Sequence, residues 1–171
     1  MAVSVAERPL VARFAVVVLA TVVVVFVADA LAKTAIVAAL APGEAREIVP
    51  GWLVIAHVRN TGVAYGLLSG QGWLLVPISL AATIVVPWVL WRAGFWRAQP
   101  VVAGLAGGLI LGGALGNLVE RLQYGSVTDF IQVPPIPLFQ VFNLADASIC
   151  VGAALLLLLS YRQPSEEHPD R

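Results

Sequence analysis

Residues 101–119 read VVAGLAGGLILGGALGNLV and contain no charge. At 1.5 Å per residue, a helix of that length reaches about 28 Å, close to the ~30 Å of a bilayer's hydrocarbon core. Glycine recurs at 104, 108, 112 and 116, giving three overlapping G-x-x-x-G units. Glycines four apart leave a flat stripe that lets a second helix backbone approach closely. The run therefore reads as a membrane-spanning helix with a packing face.

Three further runs on either side have the same character. Residues of about 14–31 carry a single charge, Asp29, near the far end. Residues 73–91 carry none, although Pro77 and Pro87 lie inside, and residues 143–161 hold only Asp146. The first run could instead be a cleaved leader, with Ala30-Leu31-Ala32 as the processing site. It is long for a leader's apolar region of about 7–15 residues, and an aspartate is out of place in one. The expected fold class is an integral membrane α-helical protein. It is a single membrane domain over 1–171, with four transmembrane helices and a small β-rich segment on the outer face between helices 1 and 2.

Composition excludes the alternatives. Of 171 residues, 12% are charged and 60% are hydrophobic, against roughly 25% charged in a soluble domain. Low hydrophobicity would be needed for disorder. One cysteine, Cys150, cannot form a disulfide within the chain. Ten basic and ten acidic residues leave no basic excess for nucleic acid, so no nucleic-acid partner is expected.

The arginines set an orientation. Arg8, Arg13, Arg92, Arg97, Arg162 and Arg171 fall on one side of a four-span chain, and Lys33, Arg46, Arg59 and Arg121 on the other. Positive charge favours the cytoplasm, which puts both termini there. The outer segments are then 42–72 and 123–140. In the first, EIVPGWLVIAHVR (47–59) alternates apolar residues around a Pro50-Gly51 turn signal and reads as a strand or hairpin. In the second, Pro134, Pro135 and Pro137 forbid a helix. The tail, 163–171, is polar.

Ionisable groups in membrane segments are costly and read as functional. Asp29 and Lys33 are four apart, acid first, and are expected to form a structural ion pair. Asp129 follows the third span. Asp146 lies in the first turn of the fourth, where Asn143 is a good N-cap and the acid three residues on completes something like a capping box. The chain can double back between the two aspartates, so the carboxylates can meet at the outer face. Two adjacent carboxylates share a proton, the ionised one serving as general base and the protonated one as acid. From spacing alone, that suggests peptide hydrolysis of the aspartic type. The rival is a small transporter or channel subunit using Asp129 and Asp146 as a proton or cation site. Such a protein is expected to hold its acids nearer the midplane and to show an internal repeat. A purely structural subunit would leave the polar loop motifs without a purpose. Few His, Cys and acidic residues are available as ligands, so no metal site and no cofactor is expected. His57 reads as amphipathic strand surface.

The motifs Asn60-Thr61-Gly62-Val63-Ala64-Tyr65-Gly66, Gly112-Gly113-Ala114-Leu115-Gly116-Asn117-Leu118-Val119-Glu120-Arg121, Gly125-Ser126-Val127-Thr128-Asp129-Phe130 and Phe142-Asn143-Leu144-Ala145-Asp146 together resemble the lipoprotein signal peptidases, the bacterial signal peptidase II family. Asp29-Ala30-Leu31-Ala32-Lys33 matches the family's first-helix pattern as well. The resemblance covers about residues 14–161. It implies an intramembrane aspartic endopeptidase that cleaves prolipoproteins just before a diacylglyceryl-modified cysteine. The family aspartates fall on Asp129 and Asp146, and its site-shaping or substrate-binding positions on Asn60, Gly62, Asn117, Arg121 and Asn143. The partners implied are the bilayer and diacylglyceryl-prolipoprotein substrates, with no obligate protein partner inferred. The location implied is the bacterial inner or plasma membrane, with the site towards the outer face. Glu120 stands where the family more often has aspartate, which bears on its pairing with Arg121. Tyr65 replaces the usual phenylalanine or tryptophan.

Overall fold

The computed structural model describes residues 4–62, 72–136 and 141–162. Tyr65, residues 137–140 and the tail 163–171 lie outside them. The helices are α1 (Arg8–Ala39), α2 (Leu75–Arg92), α3 (Phe95–Ala98), α4 (Pro100–Tyr124) and α5 (Leu144–Arg162). Among the described residues, four helical stretches are long and apolar enough to cross a membrane: Val5–Ala39, Leu75–Arg92, Pro100–Tyr124 and Leu144–Tyr161.

Two helices outrun the apolar runs that announce them. α1 has proline in its first turn, where the missing N–H is no loss, and continues until Leu40, just before Ala41-Pro42. α4 runs on through Glu120 and Arg121 to Gly125, whose φ of +67° and N–H bond to the Arg121 carbonyl (2.9 Å) form a left-handed C-cap. The short α3 was not expected. It follows Gly94, at φ +70°, and packs Trp96 against Trp91 with ring centroids 5.0 Å apart. Arg97 of α3 pairs with Glu7 at 2.6 Å, so the start of α1 lies beside the α2–α4 connection.

α4 is the central helix. Its glycine stripe lies on α1 in four-residue steps: a Cβ at Gly104, Gly108 or Gly112 would stand 2.8, 2.5 and 2.8 Å from the Cβ of Val17, Thr21 and Val25. On the two flanks of this stripe, Gly113 meets Ala145 and Ser148 of α5, and Gly107 meets Leu90 of α2. Lipid tails are as apolar as these side chains, so close backbone packing replaces the hydrophobic drive of a soluble core. The stripe ends at Gly116, where a Cβ would lie 2.8 Å from Asp29 Oδ2. The only buried residues of α1 are its two charged ones in mid-helix, Asp29 and Lys33.

A four-stranded antiparallel sheet caps the end where α1 and α4 finish and α5 begins. Its strands are β1 (Ala45–Val49), β2 (Leu53–Asn60), β3 (Val127–Gln132) and β4 (Val141–Phe142), in that order. The first outer segment forms the expected hairpin, turning at Pro50-Gly51. The segment 123–140, read only as non-helical, supplies β3, and β4 follows it at Val141–Phe142. Val127-Thr128-Asp129-Phe130-Ile131 is rich in the β-branched and aromatic residues that suit a sheet. β2 and β3 pair with Val58 opposite Asp129, Arg59 opposite Thr128 and Asn60 opposite Val127. The reading of His57 as surface is corrected: the residue is 3% exposed and its Nδ1 lies 2.9 Å from the Leu40 carbonyl oxygen. The residue points inward because its strand lies over the end of α1.

Candidate active site

Asp129 on β3 is 2% exposed, and Asp146 in the first turn of α5 is half-buried. Three asparagine amides connect them. Asn143, fully buried, accepts the Asp146 N–H at Oδ1 (2.8 Å), while the Asn143 N–H donates to Asp146 Oδ2 (3.4 Å). This reciprocal cap satisfies N–H groups that the first turn of a helix leaves without partners. From the same side chain, Asn143 Nδ2 donates to Asp129 Oδ1 (2.7 Å) and Asn117 Oδ1 (3.1 Å). Asn117, on α4, donates from Nδ2 to Asp146 Oδ1 (2.8 Å). Asn60, at the end of β2, donates to Asp129 Oδ2 (2.8 Å) and accepts the Gly62 N–H at Oδ1 (2.9 Å). Asn60 therefore makes its turn and holds Asp129 with opposite ends of one amide. Capping and site-building are likewise not alternatives for Asp146, because the cap bond is what orients its carboxylate.

Charged groups stand behind this ring. The Lys33 ammonium, 4% exposed, lies 2.7 Å from Asp29 Oδ2 and 3.1 Å from Glu120 Oε2, and donates to Asn117 Oδ1 at 3.0 Å. The other oxygen of Asp29 accepts the Ala145 N–H at 2.9 Å, tying α1 to the start of α5. Glu120 accepts both the N–H (2.8 Å) and the hydroxyl (2.7 Å) of Thr128, and its Oε1 is 3.7 Å from Arg59 Nη1. The Glu120–Arg121 pairing is thus corrected, since the longer glutamate reaches away to Lys33, Thr128 and Arg59. Arg121, half-buried on the last turns of α4, adds its charge to the field of both aspartates.

Burial, and next the charge of Asp146, push the Asp129 carboxyl up to about 7, against the lowering effect of the Asn60 and Asn143 hydrogen bonds. The charge of Asp146 thus disfavours a second charge on Asp129, the coupling expected of neighbouring carboxyls. Such a pair can take a proton from water and give one to a leaving amine. Among the described residues, no three or more His, Cys, Asp or Glu side chains are grouped to hold a metal ion.

Sequence reasoning brought Asp129, Asp146 and the asparagines to this site. It missed Thr128 and the role of Glu120 as their common support. The motif Glu120…Thr128 was visible, but its contacts depend on α4 turning into β3.

Among the described residues, four helices able to span a bilayer, with Asp129 and Asp146 joined by asparagines at one end, define a membrane protein with a polar site beneath its sheet. Two solved bacterial membrane enzymes share the fold. One, determined by the in meso method at 2.3 Å resolution, has a TM-score of 0.73 at 28% identity over 90% of this chain and 93% of that one. The other, determined by the same method at 1.9 Å resolution, has a TM-score of 0.72 at 27% identity over 86% and 94%.

The chain belongs to the signal peptidase (SPase) II family, whose model matches residues 21–162. It is 41% identical to the lipoprotein signal peptidase of Syntrophomonas wolfei subsp. wolfei over 79% of this chain and 86% of that one. It is 38% identical to the lipoprotein signal peptidase of Shewanella loihica over 85% and 88%. Membership makes it a peptidase and sets the transporter reading aside.

Proposed function

We propose that this protein removes signal peptides from diacylglyceryl-modified bacterial prolipoproteins, cleaving before the lipidated cysteine, with Asp129 and Asp146 as the catalytic pair. The observation that carries the assignment is the set of asparagine bonds: Asn143 donates to Asp129 from its side chain and to Asp146 from its backbone, Asn117 donates to Asp146, and Asn60 holds Asp129 from the other side.

In the reaction, the ionised carboxylate takes a proton from water as the water oxygen attacks the carbonyl carbon preceding the lipidated cysteine. The protonated carboxyl donates a hydrogen bond to the carbonyl oxygen, where negative charge develops. The C–N bond breaks as the cysteine nitrogen takes a proton from the carboxyl pair, which returns to its starting state of one proton. The products are a signal peptide ending in a carboxylate and a lipidated cysteine with a free amine. No cofactor enters this scheme. Asn60, Asn117 and Asn143 keep the oxygens in place, Gly62 supplies the N–H that orients Asn60, and the Arg121 cation balances the pair's charge.

The sheet end is proposed to face outward, where an exported lipobox with its acyl chains in the outer leaflet presents its scissile bond. Arg97, paired with Glu7 beside the start of α1, and Arg92 in the last turn of α2 support a cytoplasmic N-terminus under the positive-inside rule. Cysteine accessibility tests this. A cysteine at position 45 should react with an impermeant reagent in intact cells and one at position 93 should not, and the reverse pattern contradicts the orientation.

A further inference from the structure

We infer that Glu120 is a positioning residue for the cleavage reaction, fixing Asp129 relative to Asp146 by joining Thr128 to Lys33. This rests on the reading of the two aspartates as the catalytic pair and goes beyond it, because Glu120 touches neither.

Thr128 precedes Asp129 on β3 and is wholly buried. Both of its donors, the backbone N–H and the hydroxyl, end on the one Glu120 carboxylate. A residue held at both backbone and side chain cannot slide or rotate, so the direction in which the next side chain leaves the strand is set. The same carboxylate lies 3.1 Å from Lys33 Nζ. Lys33 in turn donates to Asn117, and Asn117 donates to Asp146. The ammonium thus has two arms, one through Glu120 and Thr128 to the base of Asp129, the other through Asn117 to Asp146. Glu120 also meets Arg59, which sits opposite Thr128 in the β2–β3 register and lies over the Tyr124 ring at 5.2 Å.

Glu120 faces a cavity of about 420 Å³ between α1 and α4, together with Asp29, Lys33, Arg59 and Tyr124. Asp129 and Asp146 do not line it. Glu120 therefore acts on the pair through Thr128 and Lys33 and not by contact with the reacting bond. Two acceptor oxygens matter as well as charge. The carboxylate must accept from Thr128 twice and still face the ammonium. A glutamine presents one acceptor oxygen and turns its NH2 towards a donor.

The experiment is steady-state cleavage of a diacylglyceryl-modified prolipoprotein by the purified protein in detergent, across pH. The variants are Glu120→Gln, Glu120→Asp, Thr128→Val and the Glu120→Gln/Thr128→Val double. Misplacement of about 1 Å can cost on the order of 100-fold in rate. Glu120→Gln should lower kcat by about 30- to 100-fold with KM within about 2-fold. Removing its negative charge leaves Lys33, Arg59 and Arg121 less balanced by Asp29, so both limbs of the pH profile should move to lower pH. Glu120→Asp should recover much of kcat and the original profile. Thr128→Val should lower kcat alone, and the double variant should add little to Glu120→Gln, as for residues acting in one path.

Wild-type kcat and an unmoved profile in folded Glu120→Gln overturn the inference. So does additive behaviour of the double variant. If Glu120→Gln does not fold, an unchanged kcat in Thr128→Val overturns it. Asp129→Asn and Asp146→Asn in the same assay separate the two levels. If they are inert and Glu120→Gln is not impaired, positioning fails alone. If they are active, the pair assignment fails and the positioning inference falls with it.

Discussion

Asn143 and Asp129 lie on opposite sides of a proline-containing loop, and the Asn143 amide nitrogen reaches an Asp129 carboxylate oxygen at 2.7 Å. The same side chain caps α5 with its oxygen. One residue therefore ties the helix bearing one aspartate to the strand bearing the other.

That double use separates two substitutions. Asn143→Ser keeps an N-cap oxygen but has no donor long enough for Asp129. It should lose turnover by about 100-fold, on the scale of a misplaced catalytic group, while its melting temperature moves little. Asn143→Ala loses the cap too and should cost about 1 kcal/mol more of stability. Full turnover in Asn143→Ser would show that the amide does not hold the pair.

Stability should depend on pH through Asp129. Its carboxyl is raised from 3.8 to about 7 by burial and by Asp146. The folded protein therefore binds a proton that the unfolded chain has released across that window. The resulting stability is fully present below about pH 4 and is lost as pH rises to about 7. In Asp129→Asn this dependence should flatten, so the variant melts higher than the parent at pH 8 and by a smaller margin, or none, at pH 4. Melting curves in a single detergent over pH 4–8 measure it, and parallel dependences for the two proteins would contradict it.

Lys33→Met should be the most damaging single change among these charges. It strands Asp29 and Glu120 without their common cation, and a broken buried pair costs about 3–5 kcal/mol. Loss of folded protein, read by size-exclusion in detergent, is expected. A Lys33→Met protein as heat-resistant as the parent would contradict this.

Gly112→Ala tests the helix contact. The added Cβ would sit 2.8 Å from Val25 Cβ, and overpacking of this kind costs about 1–3 kcal/mol. Gly125→Ala makes a useful contrast. It has open space around it but a φ of +67°, so it is expected to destabilise through backbone strain alone. Equal stability of Gly112→Ala and the parent would remove the close α1–α4 approach.

The spans were legible because apolar length and glycine spacing are local properties. The ends of α1 and α4 were not, since Lys33-Thr34 and Glu120-Arg121 break the apolar runs while the helices continue to Ala39 and Tyr124, just before Ala41-Pro42 and Gly125. β2 was legible from its alternation. β3 was obscured because its value lies in pairing with β2, far away in the chain. Asn60, Asn143 and the two aspartates stood out as polar residues in recognisable motifs. Glu120 also stood in such a motif, but its role did not show, because each of its three partners comes from a different element and none is its sequence neighbour.

The most direct measurement is cleavage of a diacylglyceryl-modified prolipoprotein by the purified protein, beside Asp129→Asn and Asp146→Asn. The parent should cut before the lipidated cysteine. Each variant should fold, since an amide is nearly the size of a carboxyl, and each should lose at least about 100-fold in turnover, the lower end of what one acid–base group supplies. Near-parental cleavage by either variant would contradict the assignment of the pair.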